Sequence, residues 1–193
     1  MTVALQRGMT LEEFLAWDEG QEDRWEFDGF QPVAMVRGTV AHARLCRNLA
    51  VALTARLRGT PCEAFGEGLK IAVAGSIRYP DAFVACGPNA NQAIEAMNPV
   101  VVFEVLSPGT ASTDIVVKNR EYQATPSIRR YVILMQDRIA ATVSERRGIE
   151  WVVTFLTDPA AVLEMPEIGI GISLAEFYEG VIEFAPSLPG DGR

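Results

Sequence analysis

The sequence of 193 residues predicts an α/β (α+β) protein with a mixed central β-sheet and helices on both of its faces. Continuous apolar runs at residues 100–106 and 130–135 are typical of strands that are buried on both faces. Leucines at four-residue spacing within residues 39–58 indicate an amphipathic helix. Neither a repeat nor a linker interrupts the chain, so we expect one domain over residues 1–193, with its core at about 10–180 and a frayed tail.

Helix and hairpin signals alternate through the first half of the chain. Thr10-Leu-Glu-Glu13 is a capping box that opens a short helix, and the Asp28-Gly29 pair between apolar runs predicts a hairpin. The long helix follows from Thr39 to Arg58. Residues 69–74 and 79–86 predict two further strands, which we expect to form a hairpin around a Gly-Ser turn.

The second half contains the buried strands. The predicted elements are a strand at 100–106, a helix at 113–124, strands at 130–135, 139–146 and 151–157, and a terminal helix at 174–178. No apolar run approaches the length that spans a membrane, and the N-terminus lacks the pattern of a secretory signal. Cys46, Cys62 and Cys86 are few, widely spaced and set in apolar surroundings, which predicts reduced core thiols and a cytoplasmic location.

Charge is distributed unevenly along the chain, although the net charge is −8. Residues 36–147 carry fourteen basic and nine acidic side chains, whereas both flanks are strongly acidic. One interpretation of this charge distribution is that the acidic flanks keep the protein soluble. The other is that the basic centre contacts nucleic acid: Arg44, Arg47 and Arg58 share one face of the predicted long helix, and Arg120, Arg129 and Arg130 follow later.

Two carboxylates lie where the pattern predicts burial. Glu104 stands alone inside an apolar strand, where an ionised group costs several kcal/mol unless it meets a cation or donors. Asp81 opens another apolar strand directly after a proline. A buried Glu–Arg pair, a protonated Glu and a turn or cap Asp are the plain alternatives. If the two strands are neighbours, both carboxylates could hold one Mg²⁺ or Mn²⁺.

This arrangement resembles the PD-(D/E)XK nuclease superfamily, and more closely its Uma-type restriction endonuclease family. The similarity extends from about Thr10 to Gly180 and includes Pro80-Asp81, the Glu104-Val-Leu-Ser-Pro-Gly-Thr110 segment, and Asp114, Lys118 and Tyr122 on the next helix. The usual superfamily lysine stands two positions after the Glu, where this chain has Leu106. The resemblance implies that Lys118 has taken over the role of that lysine.

The resemblance also implies roles for neighbouring residues. Lys118 would orient water and neutralise charge on the phosphate, with Asp114 positioning it and Ser107 supporting the loop; the alternative is a surface ion pair between Asp114 and Lys118. Glu26 would be a third metal ligand, or else a cross-strand surface partner. His42 would contact substrate, or else belong to the core. Gly68 stands where the family often has a further acid.

The function that follows is metal-dependent endonuclease activity, with Asp81, Glu104 and Lys118 as the catalytic group and Mg²⁺ or Mn²⁺ as the cofactor. DNA is the expected substrate, and a homodimer is the expected assembly. The alternative is a nuclease-fold binding or assembly protein that has lost turnover. It is favoured by the acidic net charge and by Gly68, and disfavoured by the presence of all three catalytic residues.

Overall fold

The structure, a computed structural model, describes residues 8–34, 38–106 and 112–182, without the side chains of residues 112–114. The helices are α1 (Leu11–Asp18), α2 (Val40–Leu57), α3 (Ser112–Ala124) and α4 (Leu174–Phe177). The strands are β1 (Trp25–Phe27), β2 (Pro32–Ala34), β3 (Cys62–Gly66), β4 (Ile71–Val73), β5 (Ser76–Arg78), β6 (Ala82–Cys86), β7 (Pro99–Leu106), β8 (Arg130–Met135), β9 (Ala141–Arg147), β10 (Glu150–Leu156), β11 (Val162–Met165) and β12 (Ile170–Ser173). The tail for which fraying was predicted lies outside the described residues.

A six-stranded mixed sheet in the order β10-β9-β8-β7-β6-β3 forms the centre of the fold. Strands β7 and β8 are parallel and the other neighbours are antiparallel. A parallel pair needs a crossover connection, and α3 lies in the connection between β7 and β8. The predicted fold class, a mixed sheet flanked by helices, is confirmed.

Alternating residues of β7 serve two hydrophobic cores, one on each face of the central sheet. Val101, Phe103 and Val105 pack with leucines of α2 and with α4. Val102 packs on the other face with Tyr122 of α3. This is why the run from Pro99 to Leu106 is apolar at almost every position, and why a charged residue within it must have a partner.

A second sheet, in the order β2-β1-β5-β4, lies beside the first. The predicted hairpin at residues 69–86 is partly wrong, because β4 pairs with β5 and not with β6. Pro80 lies between β5 and β6. Since proline has no N–H to continue a ladder, the chain leaves the small sheet here and β6 starts afresh in the central sheet.

The predicted helix starts agree with the structure, whereas several short strands were not predicted. Thr10 forms the predicted capping box at α1, and Thr39 caps α2. Strand β3 and the β11–β12 hairpin were not predicted. Each of these strands has only four or five residues, and β12 contains glycine, so local propensity is weak and pairing decides the structure.

Cys62 and Cys86 are joined by a disulfide, so the prediction of reduced thiols is wrong for these two residues. They face each other because β3 and β6 pair with Cys62 opposite Cys86. Strand β3 was not predicted, so no pattern in the sequence indicated that the two cysteines would meet. The predicted cytoplasmic location therefore loses the support of reduced thiols. Within the described residues, no helix has the length and apolar character needed to cross a bilayer.

Candidate active site

Asp81 and Glu104 belong to adjacent antiparallel segments, as predicted. Ala82 pairs with Phe103, so the next step of the register brings Asp81 opposite Glu104. Directly opposite residues of a sheet project from the same face. Asp81 lies just before β6, and its Oδ2 accepts a 2.6 Å hydrogen bond from the backbone N–H of Val105. One backbone group thus holds Asp81 beside the strand that carries Glu104.

Lys118 supplies the cation that Glu104 requires. Its Nζ lies 3.3 Å from Oε1 of Glu104 and 3.2 Å from Oε1 of Glu26. Tyr122, one turn further along α3, donates a 2.8 Å hydrogen bond to the same oxygen of Glu104. The helix therefore brings an ammonium and a phenol onto a carboxylate that is only 6% exposed.

Arg78 connects this group to the small sheet and to α3. Its guanidinium makes two hydrogen bonds to Glu121, at 2.7 and 2.8 Å, and one of 3.2 Å to Oε2 of Glu26. Ser76 also donates to Glu121, at 2.7 Å. Arg78 is 1% exposed, and a buried guanidinium is stable only with such partners. It fixes Glu26 and α3 relative to each other.

On its other side, Asp81 contacts the start of α2. Nε2 of His42 lies 3.0 Å from Asp81 Oδ1, and Sγ of Cys46 lies 3.5 Å from the same Nε2. Glu67, which follows β3, is close enough that its charge raises the pKa of Asp81 and of Cys46. The last pair of β3 with β6 is Gly66 with Ala82, so the register continues to Glu67 opposite Asp81.

Burial sets the protonation of the two central carboxyls. Desolvation raises the pKa of Glu104 to about 7, and the charge of Asp81 adds to the effect, while Lys118 opposes it. Desolvation likewise raises the pKa of Asp81 to about 6, against the Val105 hydrogen bond and Lys118. Burial also raises the pKa of the Cys46 thiol, which keeps it protonated.

These shifts predict an unusual pH dependence of stability in metal-free protein. Both folded-state pKa values exceed the ordinary 4.5 of Glu and 3.8 of Asp. At pH values between the ordinary and the raised pKa, the folded chain therefore binds more protons than the unfolded chain. The free energy of unfolding contributed by these groups is present at low pH and is lost as the pH rises through 6 and 7. Glu104→Gln is expected to raise the unfolding free energy by about 3 kcal/mol above pH 7, with a much smaller change at pH 5.

Urea unfolding with a chelator present, over a series of pH values, measures this effect. Glu63→Gln, at an exposed position of β3, is the matched control and should show no such difference between high and low pH. An equal gain from Glu104→Gln at both ends of the series would contradict the assigned cause.

The charge of the cluster leaves room for a divalent cation. When all of them are ionised, the carboxylates of Glu26, Asp81, Glu104 and Glu121 exceed the two cations, Arg78 and Lys118, by two negative charges. Carboxylate oxygens are the donors that Mg²⁺ and Mn²⁺ prefer. The chemistry of these donors therefore fits the predicted cofactor, but the donor atoms of Glu26, Asp81 and Glu104 do not all lie within 4.8 Å of one another. Glu26 also already accepts hydrogen bonds from Arg78, Lys118 and the backbone of Tyr79.

Five of the predicted site residues converge in space: Glu26, His42, Asp81, Glu104 and Lys118. Ser107 and the side chain of Asp114 lie outside the described part of the chain. The Ser-Pro-Gly-Thr segment at residues 107–110 also lies outside the described residues, so its role as a loop beside the site remains a prediction.

The predicted arginines are dispersed. Arg44 and Arg47, near the start of α2, and Arg120, on α3, are exposed. Arg58 follows the end of α2 and lies about 24 Å along the helix from His42, since each residue adds 1.5 Å. Arg130 is buried and paired with Glu145 and Glu167, so its predicted contact with nucleic acid is wrong.

The sequence did not assign roles to several residues of the cluster. Cys46 follows His42 by four residues, a spacing that puts both on one helix face and could have been noticed. Arg78 lies in a three-residue strand whose partners are far away in sequence, so no local signal reveals its role. Glu67 directly precedes Gly68, the position where an acid was expected.

Comparisons with known proteins identify the family and the fold. The model of the Uma2 family, described as "Putative restriction endonuclease", matches residues 11–175. An uncharacterized protein of Synechocystis sp., slr1290, is 27% identical over 177 residues, which cover 90% of this chain and 93% of the relative. A crystal structure from Anabaena variabilis, titled a putative nuclease belonging to DUF820, superposes with a TM-score of 0.74 at 18% identity, covering 90% of this chain and 99% of that one. The last likeness shows a shared fold, and the family match extends over most of the chain: the protein is a member of the Uma2 family of restriction-endonuclease-like proteins.

Proposed function

We propose that the protein is a metal-dependent endonuclease that hydrolyses phosphodiester bonds of DNA. The observation that carries the proposal is the carboxylate pair of half-buried Asp81 and buried Glu104, with the ammonium of Lys118 beside it and more carboxylates than cations around it. Buried charge of this kind costs stability, as the raised pKa of both carboxyls indicates. Such an arrangement is typical of functional sites and is unusual in structural cores.

Asp81 and Glu104 would hold Mg²⁺ or Mn²⁺, with Glu26 as a third ligand. The bound ion would supply Lewis acidity toward the phosphate and lower the pKa of water. Lys118 would face the scissile phosphate, where its positive charge stabilises the charge that develops on the phosphoryl oxygens. Tyr122 fixes Glu104 in place, and Arg78 holds Glu26, so the carboxylates are already positioned before substrate arrives.

Nicking of supercoiled DNA by the purified chain tests the proposal. Activity should require Mg²⁺ or Mn²⁺ and disappear with a chelator. Glu104→Gln and Asp81→Asn should each reduce the rate by about a hundredfold or more, while Glu63→Gln should not. A protein that binds DNA but never nicks it with either ion would favour the alternative, an inactive nuclease-fold binding protein, for which Gly68 and the net charge of −8 speak.

We propose that DNA contacts three exposed arginines on the helices that carry site residues, Arg44 and Arg47 on α2 and Arg120 on α3. Each phosphate contact that is removed should lower the slope of log affinity against log salt by about one. The Arg44→Ala/Arg47→Ala variant is therefore expected to lose about two from this slope. Fluorescence anisotropy with Ca²⁺ in place of Mg²⁺ measures binding. Arg58→Ala is the comparison: a loss of about one there would mean that DNA follows the whole helix, whereas no loss is expected. Salt-independent binding would exclude this surface.

A homodimer that cuts two strands and a cytoplasmic location both remain proposals. Sedimentation equilibrium of the full chain, with and without DNA and Ca²⁺, measures the first.

A further inference from the structure

His42 and Cys46 bring two transition-metal donors to Asp81. They lie four residues apart on α2, so both side chains project from one face of the helix. Nε2 of His42 is 3.0 Å from Asp81 Oδ1 and 3.5 Å from Cys46 Sγ. Among the described residues, these three form the one group of metal-ligating side chains whose donor atoms all lie within 4.8 Å of one another.

The spacing of these atoms suits a tetrahedral ion. With metal–ligand bonds of 2.0–2.3 Å, a nitrogen and a sulfur ligand lie about 3.6 Å apart, and a nitrogen and an oxygen ligand about 3.4 Å apart. The corresponding distances are 3.5 and 3.0 Å. These two distances are therefore within a few tenths of an ångström of tetrahedral values, and the third, between Cys46 Sγ and an oxygen of Asp81, is no more than 4.8 Å.

The surroundings hold these donors in place. A Cβ at Gly38 would lie 3.0 Å from Cγ of His42, so the glycine allows the imidazole to pack closely against the backbone. Thr39 caps the helix by accepting a hydrogen bond from the N–H of His42. The other oxygen of Asp81 is held by Val105. Contacts of this kind, made by groups that do not themselves touch the ion, orient the ligands in metal sites.

We propose that His42, Cys46 and Asp81 form a binding site for a transition-metal ion of the zinc class, with a fourth position open to water. Imidazole and thiolate select such ions over Mg²⁺, which prefers oxygen donors alone. Binding replaces the thiol proton of Cys46, which passes to solvent. The charge of Glu67, which acts on Cys46 and Asp81, favours a cation at this place.

The site would share Asp81 with the hard-metal site. A zinc-class ion would therefore compete with Mg²⁺ for that carboxylate and inhibit hydrolysis. This consequence rests on the proposed function, whereas the binding itself does not.

Titration of the full chain with Co²⁺, a spectroscopic substitute for Zn²⁺, tests the site. We expect a thiolate-to-cobalt charge-transfer band that saturates at one ion per chain, is removed by Zn²⁺ and persists in excess Mg²⁺. Cys46→Ser should abolish the band and weaken Zn²⁺ binding, measured by calorimetry, by at least tenfold, the lower range for losing even an outer-shell partner. Circular dichroism establishes that this variant is folded.

Two controls identify the thiol and separate the two metal sites. Cys46 is the free cysteine and the other two are paired, so Cys62→Ser/Cys86→Ser should keep the band. Glu104→Gln should keep it too, although it should abolish nicking. Absence of the band in the wild type, or its persistence in Cys46→Ser, would overturn the site. A chain that gives the band without any nicking would support the His42/Cys46/Asp81 site and refute the proposed function. An active nuclease without the band would support the proposed function and refute this site.

Discussion

Replacement of Lys118 by methionine is expected to lower turnover by about a hundredfold or more, the range typical of losing one preorganised electrostatic group. The ammonium lies 3.2–3.3 Å from Glu26 and Glu104, and Leu106 occupies the position where a strand lysine would stand. Lys118→Arg should restore little activity, because a broad guanidinium hydrogen-bonds differently from a compact ammonium. Single-turnover nicking at saturating metal measures the effect.

The matched control for Lys118 is Arg147→Met, which removes an exposed cation from β9. It should keep full activity. Calorimetry with Ca²⁺ should show that Lys118→Met still binds metal, so that the loss lies in turnover. If both Lys118 variants cleave at the wild-type rate, the ammonium is only a structural partner of the carboxylates, and its catalytic assignment must be abandoned.

Replacement of Arg78 by methionine is expected to lower the free energy of unfolding by about 3–5 kcal/mol, the cost of removing one partner from a buried ionic group. Glu26 and Glu121 would then remain buried without their shared guanidinium. The loss should be smaller at low pH, where the unpaired carboxyls can take up protons. Urea unfolding at two pH values measures both effects.

Arg56 provides the comparison for Arg78. It also makes two 2.7 Å hydrogen bonds to one carboxylate, that of Glu176, but its side chain is 35% exposed. Arg56→Met should cost no more than about 1 kcal/mol, as exposed ion pairs do. The double variant Arg78→Met/Glu121→Met should be more stable than Arg78→Met alone, because it also removes one of the buried carboxylates that Arg78→Met leaves without its partner. Equal costs at Arg56 and Arg78 would mean that burial does not govern the pair.

How far the sequence predicts this protein depends on whether a feature leaves a local signal. Glu104 could be found because a charge inside an apolar strand is anomalous by itself. Helix α2 could be bounded from its cap and its leucine spacing. By contrast, the spacing of Asp114 and Lys118 alone favours a surface pair, and only the family resemblance predicted the position of the lysine beside Glu104.

The unpredicted features depend on pairing between short strands. Arg78 meets Glu26 and Glu121 across 52 and 43 residues of sequence, and Cys62 meets Cys86 only because β3 adds to the edge of the central sheet. Strands of three to five residues have little intrinsic preference, and their register is set by the rest of the fold. Neither composition nor periodicity contains that information.

A lysine on a helix has different evolutionary freedom from a lysine on a strand. On β7, moving a side chain by one residue would turn it to the opposite face, into the core beneath α2. On α3, positions three or four residues away project from the same side, so the charge could migrate by a turn without disturbing the sheet. If Lys118 is the catalytic cation, as proposed, Leu106 is constrained by core packing alone. Placing the cation on the crossover helix lets selection on folding and selection on chemistry act on separate segments of the chain.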